Sequence, residues 1–211
     1  MSEQSPTLAV RLRGPLACFT RPEFKTERVS YEVMTPSAAR GALEAILWKP
    51  AIVWRIERIR VLKPIRFTAF MRNEVTKRMS PDSTGIVADD ETTRAQRNTV
   101  ALADVDYVVE AHFDFTPKKG DEDNMGKFLD MFRRRVEGGQ CHHRPYLGCR
   151  EFAADFLPSE NAPPPIPETR DLGLMLHDKD YANGARARLF PARLENGILL
   201  IPPWSPNGDA Q

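Results

Sequence analysis

The chain has 211 residues, 41% of them hydrophobic and 28% charged, with a formal net charge of +1. That length and apolar content are enough for a sizeable core and exclude a disordered chain. No apolar run approaches the roughly 18 residues of a membrane-crossing helix, and the opening MSEQSPTLAV lacks the charged-then-apolar order of a signal peptide, so a cytoplasmic protein with no membrane partner is expected.

Leu8 to Leu12 alternates weakly and reads as a first strand that leaves into a loop at Gly14-Pro15. The loop, to about Met34, interleaves Phe19, Phe24 and Tyr31 with Arg21, Lys25 and Arg28. Such a mixture stacks bases and pairs phosphates in RNA-binding proteins, or packs its aromatics on a core. Thr35-Pro36 starts a helix with a capping hydroxyl and a proline at the first helical position. Ala39, Ala42, Leu43 and Ile46 give that helix a buried stripe up to Trp48, and Lys49-Pro50 ends it. Ile52 to Val61 is a strand whose inward phase slips near Glu57 and Arg58, which predicts a bulge.

Lys63-Pro64 to Arg97 has no sustained periodicity and predicts a basic hairpin or long loop inserted around 64–98. Asp106 to Phe115 alternates most clearly. Tyr107, Val109, Ala111, Phe113 and Phe115 share one face; Val108, Glu110, His112 and Asp114 share the other, so His112 sits on a polar face between carboxylates. A second helix runs from an Asn124 cap to Glu137, with Met125, Phe128, Leu129, Phe132 and Val136 inward and Gly138-Gly139 as its stop. A loop rich in glycine, histidine and arginine follows, to Phe152.

Pro158, Pro163, Pro164, Pro165 and Pro167 predict a stiff linker over 158–168. Beyond it Leu172 to Leu176, Ala185 to Leu194 and Ile198 to Ile201 read as strands, with Asn183-Gly184 and Asn196-Gly197 as turns. The expected fold class is α+β: a ferredoxin-like (RRM-like) domain over 1–157, the linker, and a small antiparallel β domain over 169–211.

The small net charge hides segregation. Arg55 to Arg78 carries eight basic residues against two acidic ones, while Asp104 to Asp123 carries seven acidic residues against two lysines. A basic surface beside an acidic one suits a protein that binds a polyanion on one side and other subunits elsewhere. It also leaves a duplex-DNA binder in play.

Three cysteines, Cys18, Cys141 and Cys149, occur in no CxxC spacing, which points to reduced thiols. Cys141, His142, His143 and Cys149 cluster, but structural zinc uses two well-separated ligand pairs and no second pair exists, so no metal is expected. No nucleophile elbow, Walker or dinucleotide pattern occurs, and no cofactor is expected. RNA binding remains, with or without cleavage. An RNA 2′-hydroxyl attacks its own phosphate when a protein supplies a base, an acid and a cation. Lys127, Arg133, Arg134 and Arg135 are candidate cations; histidine or tyrosine are candidate proton carriers.

The segments MTPSAARGALEAILWKP (Met34 to Pro50), VLKPIR (Val61 to Arg66), DVDYVVEAHFDF (Asp104 to Phe115), GKFLDMFRRRVEGG (Gly126 to Gly139), YLGCREF (Tyr146 to Phe152) and LGLMLHD (Leu172 to Asp178) resemble the CRISPR-associated Cascade subunit of type I-C systems, of the repeat-associated mysterious protein (RAMP) superfamily. The resemblance implies metal-independent cutting of the CRISPR precursor transcript by an endoribonuclease. That protein then stays on the 5′ handle of the guide RNA, with the backbone and large Cascade subunits as partners and target DNA as a further candidate. It also implies a tyrosine at the end of the first helix and a Lys-His pair at the start of the second. The lysine is matched by Lys127, but the tyrosine position is Leu47 and the histidine position is Phe128, and neither moves a proton. His112, His142, His143, Tyr31 and Tyr146 are the available replacements. The expected catalytic set is therefore Lys127, His142 and His143. The expected RNA contacts are Arg21, Lys25, Arg28, Arg72, Lys77, Arg78, Arg134, Arg135 and Arg144. A non-catalytic RNA-binding cap of the same complex is the alternative that Leu47 and Phe128 favour.

Overall fold

The alternating stretch around Phe113 is half of one long strand on which the sheet is built. In the computed structural model, which describes residues 4–24, 26–76, 79–82, 84–85, 91, 93–181 and 184–203, that strand is β5 (Arg94–Phe115). Its second half pairs antiparallel with β1 (Leu8–Ala17) on one side and β3 (Ile52–Val61) on the other. Its first half pairs with β4 (Phe67–Val75) and, in parallel, with the short β2 (Arg28–Val29). The remaining strands are β6 (Asp155–Leu157), β7 (Arg170–Asp180), β8 (Arg186–Glu195) and β9 (Ile198–Leu200), and the main path through the sheet is β6-β1-β5-β3-β9-β8-β7. With α1 (Pro36–Ile46) and α2 (Met125–Glu137) the fold is α+β, among the described residues mostly an antiparallel sheet with two helices.

Several local expectations hold for the stated reasons. Thr35 caps α1 by accepting from the Ala38 N–H, and Asn124 caps α2 by accepting from Lys127 N–H. The β3–β5 register shifts between Ile56 and Arg58, where the phase slip lies. Asn196 and Gly197 both have positive φ, as a two-residue hairpin turn requires.

Other boundaries move. The first strand does not leave at Gly14-Pro15: β1 continues to Ala17, and its ladder to β5 omits only Pro15, which lacks an N–H donor. Helix α1 stops at Ile46 rather than Trp48, because the chain turns extended at Leu47 ahead of Lys49-Pro50. The Lys63–Arg97 insert is a hairpin built from β4 and the start of β5, so the third strand begins at Arg94 instead of Asp106. The stretch around Pro158–Pro167 is tied down: Ile166 N–H donates to Val61 O (2.9 Å), and a Cβ on Gly197 would lie 2.3 Å from Ile166 O. Strand β9 pairs with β3, so the C-terminal strands continue the same sheet. The expected Asn183 turn lies outside the described residues.

The inward stripes of α1 and α2 pack on one face of the sheet with Val10, Leu12, Trp54, Tyr107 and Phe113. Trp54 is the hub, with ring contacts to Phe113 (5.6 Å) and Phe132 (4.9 Å), each worth about 0.5–1.5 kcal/mol beyond area burial. In the loop ahead of α1, Phe19 and Tyr31 are buried and only Phe24 is exposed, so core packing rather than base stacking accounts for the first two.

Arg40 on α1 fastens the helix to β7. Its Nε and Nη2 grip the Asp178 carboxylate at 2.6 and 3.1 Å, and Nη1 reaches Glu44 at 2.7 Å. Burial alone would raise the Asp178 carboxyl, but the hydrogen bonds and charge of Arg40, with the Lys179 N–H and Ser37, outweigh it and hold it below the usual range. A depressed folded-state carboxyl contributes stability above its unfolded value, about 3.9, that is lost as pH falls through the folded value. Asp178→Asn is therefore expected to cost about 2–3 kcal/mol at pH 7, because Arg40 keeps a half-matched partner, and to flatten the fall in stability below about pH 4. Urea denaturation of both proteins at pH 7 and 3 measures this; an equal loss at both pH values would show that Arg40–Asp178 is not the acid-sensitive contact.

Candidate active site

The site is organised by the way α1 ends. Four carbonyls at this end are taken: Leu43 O by Leu47 N–H (2.8 Å), Ala45 O by His142 N–H (2.8 Å), Ile46 O by the Arg135 guanidinium, and Leu47 O by Trp54 Nε1 (2.9 Å). The glycine- and histidine-rich loop is thus docked on the C-terminus of α1. Arg135, expected to contact RNA, is instead a half-buried strut between the two helices.

Lys127 stands in the first turn of α2, exposed, with Nζ 3.0 Å from Asp123 Oδ1 and 5.7 Å from the Phe128 ring centre. The hydrogen bond from Lys127, then that from the Gly120 N–H, holds the Asp123 carboxyl below its ordinary range. Beside it, Phe128 is buried against Phe113 and Phe115, with ring centres 6.1 and 6.0 Å away. Leu47 is equally buried. Both positions at which the resemblance expects a proton carrier are therefore core positions filled by hydrocarbon.

His142 and His143 are exposed on the docked loop. Their rings meet edge to face at 5.9 Å, and His143 stacks on Tyr146 at 6.3 Å. His143 Nδ1 lies 3.2 Å from Arg144 O; the Arg144 side chain donates to Ala154 O (3.2 Å) and pairs with Asp155. Three groups able to carry protons are gathered here. Lys127 is not among them, because about 16 Å of helix rise separates it from the far end of α2 at Gly138. No hydrogen bond or ion pair among the described residues joins Lys127 to the histidines.

Among the expected RNA contacts, Arg21 lies 4.6 Å from the Tyr31 ring centre and 3.5 Å from Glu23. Arg28 pairs with Glu151 (2.7 Å) and Glu74 (3.7 Å), and Arg72 with Glu74 and Thr99 (both 2.6 Å). Arg134 is exposed on α2 and forms no ion pair among the described residues. Lys25, Lys77 and Arg78 lie outside the described residues. Two exposed groups escaped the sequence reading. Arg150 sits in the turn after Cys149. Trp48, 59% exposed beside Lys49, lies past the end of α1 rather than within it.

The charge segregation resolves differently from expectation. Antiparallel pairing of β3 and β5 sets the basic run against the acidic one: Arg55 meets Asp114 (3.2 Å), Arg58 and Arg60 share Glu110, and Lys63 and Arg66 share Asp104 (2.6 and 3.0 Å). Arg11 grips Asp106 from β1, and His112 Nδ1 lies 2.7 Å from Glu57 Oε1 at the bulge. This lattice lies on the sheet face opposite the helices and offsets part of the basic run. Cys149 is also drawn away from Cys141, His142 and His143, toward Cys18 and Thr20. No group of three or more metal-ligating side chains occurs among the described residues.

Comparison with known proteins places these features in context. The model of a family described as "CRISPR-associated protein (Cas_Cas5)" matches residues 7–202. A CRISPR pre-crRNA endoribonuclease Cas5d from Mannheimia succiniciproducens is 46% identical over 217 residues, covering 93% of this chain and 95% of its own length. One of the same name from Thermus thermophilus is 47% identical over 214 residues, covering 92% and 91%. Among solved structures, a CRISPR-associated protein superposes with a TM-score of 0.72 at 21% identity, covering 96% of this chain and 94% of that one. The functionally uncharacterized SMU1763c from Streptococcus mutans gives 0.70 at 23%, covering 96% and 95%. These two support the fold alone.

Proposed function

Because the chain belongs to the Cas5d family of CRISPR-associated proteins, we propose that it is a pre-crRNA endoribonuclease that cuts CRISPR repeat RNA and stays on the 5′ handle of the guide RNA in a cytoplasmic type I-C Cascade complex. The observation that carries this reading is near-full-length identity of 46–47% to relatives bearing that name. The partners are then repeat RNA and the backbone and large Cascade subunits. The strand order β6-β1-β5-β3, with α1 and α2 as crossovers, supports a ferredoxin-like body over 1–157; 158–168 links it to an antiparallel unit over 169–211.

In this reading Lys127 supplies positive charge to the phosphorane that forms when the 2′-hydroxyl attacks. His142 and His143 are the proton carriers, one accepting the 2′-hydroxyl proton and the other protonating the 5′-oxygen that leaves. Both histidines are exposed and gathered with Tyr146, whereas Leu47 and Phe128 offer no titratable atom. These roles need one phosphate within reach of both Lys127 and the histidine loop, so RNA binding must draw the two together, while Arg134 and Arg150, exposed and without an ion pair among the described residues, hold the backbone.

Purified protein incubated with its cognate repeat RNA in excess chelator tests the reading. Cleavage is expected, and a single 2′-deoxy substitution at the scissile position should abolish it. Replacing both His142 and His143 by alanine should slow cutting by about 10²-fold or more with RNA still bound. Tight binding that leaves the wild-type substrate intact would instead favour the non-catalytic cap, the reading motivated by the hydrocarbon at Leu47 and Phe128.

A further inference from the structure

Two cysteines far apart in sequence meet where the end of β1 touches the turn before Phe152. Cys18 is fully buried, and Cys149 is half-buried. Their backbones are in contact: Cys18 N–H donates to Leu147 O at 3.0 Å, and a Cβ on Gly148 would lie 2.1 Å from Cys18 O. Both sulfurs lie 3.8 Å from one hydroxyl, Thr20 Oγ1, and the Cys149 thiol donates to Cys18 O at 3.5 Å. Arg28, held by Glu151 at 2.7 Å, flanks the pair. Cys141 makes no such contacts among the described residues.

The two thiols are unequal. Hydrogen bonding from Cys18 first, then Thr20 and the charge of Arg28, overcomes burial and lowers the Cys149 thiol to about 6. Cys18 is pushed up by the same pairing and by its burial. A part-exposed, more acidic thiol beside a buried one is the usual arrangement of an attacking and a resolving cysteine.

We propose that Cys18 and Cys149 form an oxidation site, at which a hydroperoxide converts the dithiol into an intramolecular disulfide. The Cys149 thiolate attacks the terminal peroxide oxygen: an S–O bond forms, the O–O bond breaks, and the alkoxide, or hydroxide from hydrogen peroxide, leaves and is protonated. The Cys18 sulfur then attacks the Cys149 sulfur. An S–S bond forms, the S–O bond breaks, and water departs with the Cys18 proton; two electrons have passed from the thiols to the peroxide. The bond ties β1 to the loop that follows the histidines and closes a span of 131 residues.

Mass spectrometry of the reduced full chain after limited hydrogen peroxide decides the matter. The expected product has lost two hydrogens, yields a peptide joining Cys18 to Cys149, and still alkylates at Cys141. Its thermal midpoint rises by roughly 5–10 °C and returns on reduction. Cys141→Ser should leave the crosslink intact, and Cys18→Ser should stop at a Cys149 sulfenic acid that dimedone traps. A crosslink through Cys141, or progression of wild-type Cys149 to sulfinic acid without a crosslink, would overturn the assignment. The readout is independent of RNA cleavage.

Discussion

Lys127→Ala is expected to slow cleavage of repeat RNA by about 10²- to 10³-fold while changing RNA affinity less than about threefold. Its side chain is exposed, and its pair with Asp123 is a surface i,i+4 contact that contributes about 0–1 kcal/mol, so the helix survives the loss. Asn124 still caps α2, because the cap uses the Lys127 backbone N–H. What disappears is positive charge where negative charge develops, an effect larger in the transition state than in the bound ground state. Single-turnover cleavage and equilibrium binding, measured across a salt series, separate the roles. Equal losses in rate and affinity, with a salt slope reduced by about one counterion, would make Lys127 a phosphate anchor only.

Gly148→Ala is expected to have the largest effect on stability, about 3–5 kcal/mol, with the thermal midpoint falling by about 10 °C. Two causes add. Gly148 has φ +86°, where an L-residue costs about 1–2 kcal/mol. Its new Cβ would also lie 2.1 Å from the Cys18 carbonyl oxygen and 2.7 Å from its carbon, backbone atoms that move only if β1 moves. Gly139→Ala is the matched control, since its φ is +63° but nothing lies within 4 Å. Thermal denaturation of both variants measures the difference. Similar losses would mean that backbone strain alone, and not the approach to Cys18, fixes Gly148.

Short-range features were legible because their causes are short-range. The Thr35 and Asn124 caps, the slip at Glu57 and the Asn196-Gly197 turn each follow from a few adjacent residues. Features set by distant partners were not. The first half of β5, flanked by β4 and the short β2, begins largely part-exposed, so its alternation is weak. The basic run looked like an interface because its counter-charges lie some fifty residues away, on β5. At the candidate site, Phe128 already stands in the inward stripe of α2, whereas the burial of Leu47, just past the end of α1, follows only from the fold. Arg135 looked like one more solvent-facing cation until the C-terminus of α1 was found resting on it. The meeting of Cys18 with Cys149 left no trace in spacing at all.

The central position of β5 also sets a timetable. Leu8 pairs with Ala111, roughly a hundred residues further along the chain, and β3 gains its second neighbour only when β9 exists. At a synthesis rate of about 5–20 residues per second, β1 waits on the order of 5–20 s for its partner, with its alternating apolar edge uncovered. The β4–β5 hairpin has no such delay, because its strands are nearly adjacent. Loop closure over such distances slows folding, so refolding from denaturant should be slow and sensitive to protein concentration. The newly made chain accordingly exposes an unpaired β1 edge until β5 has been synthesised.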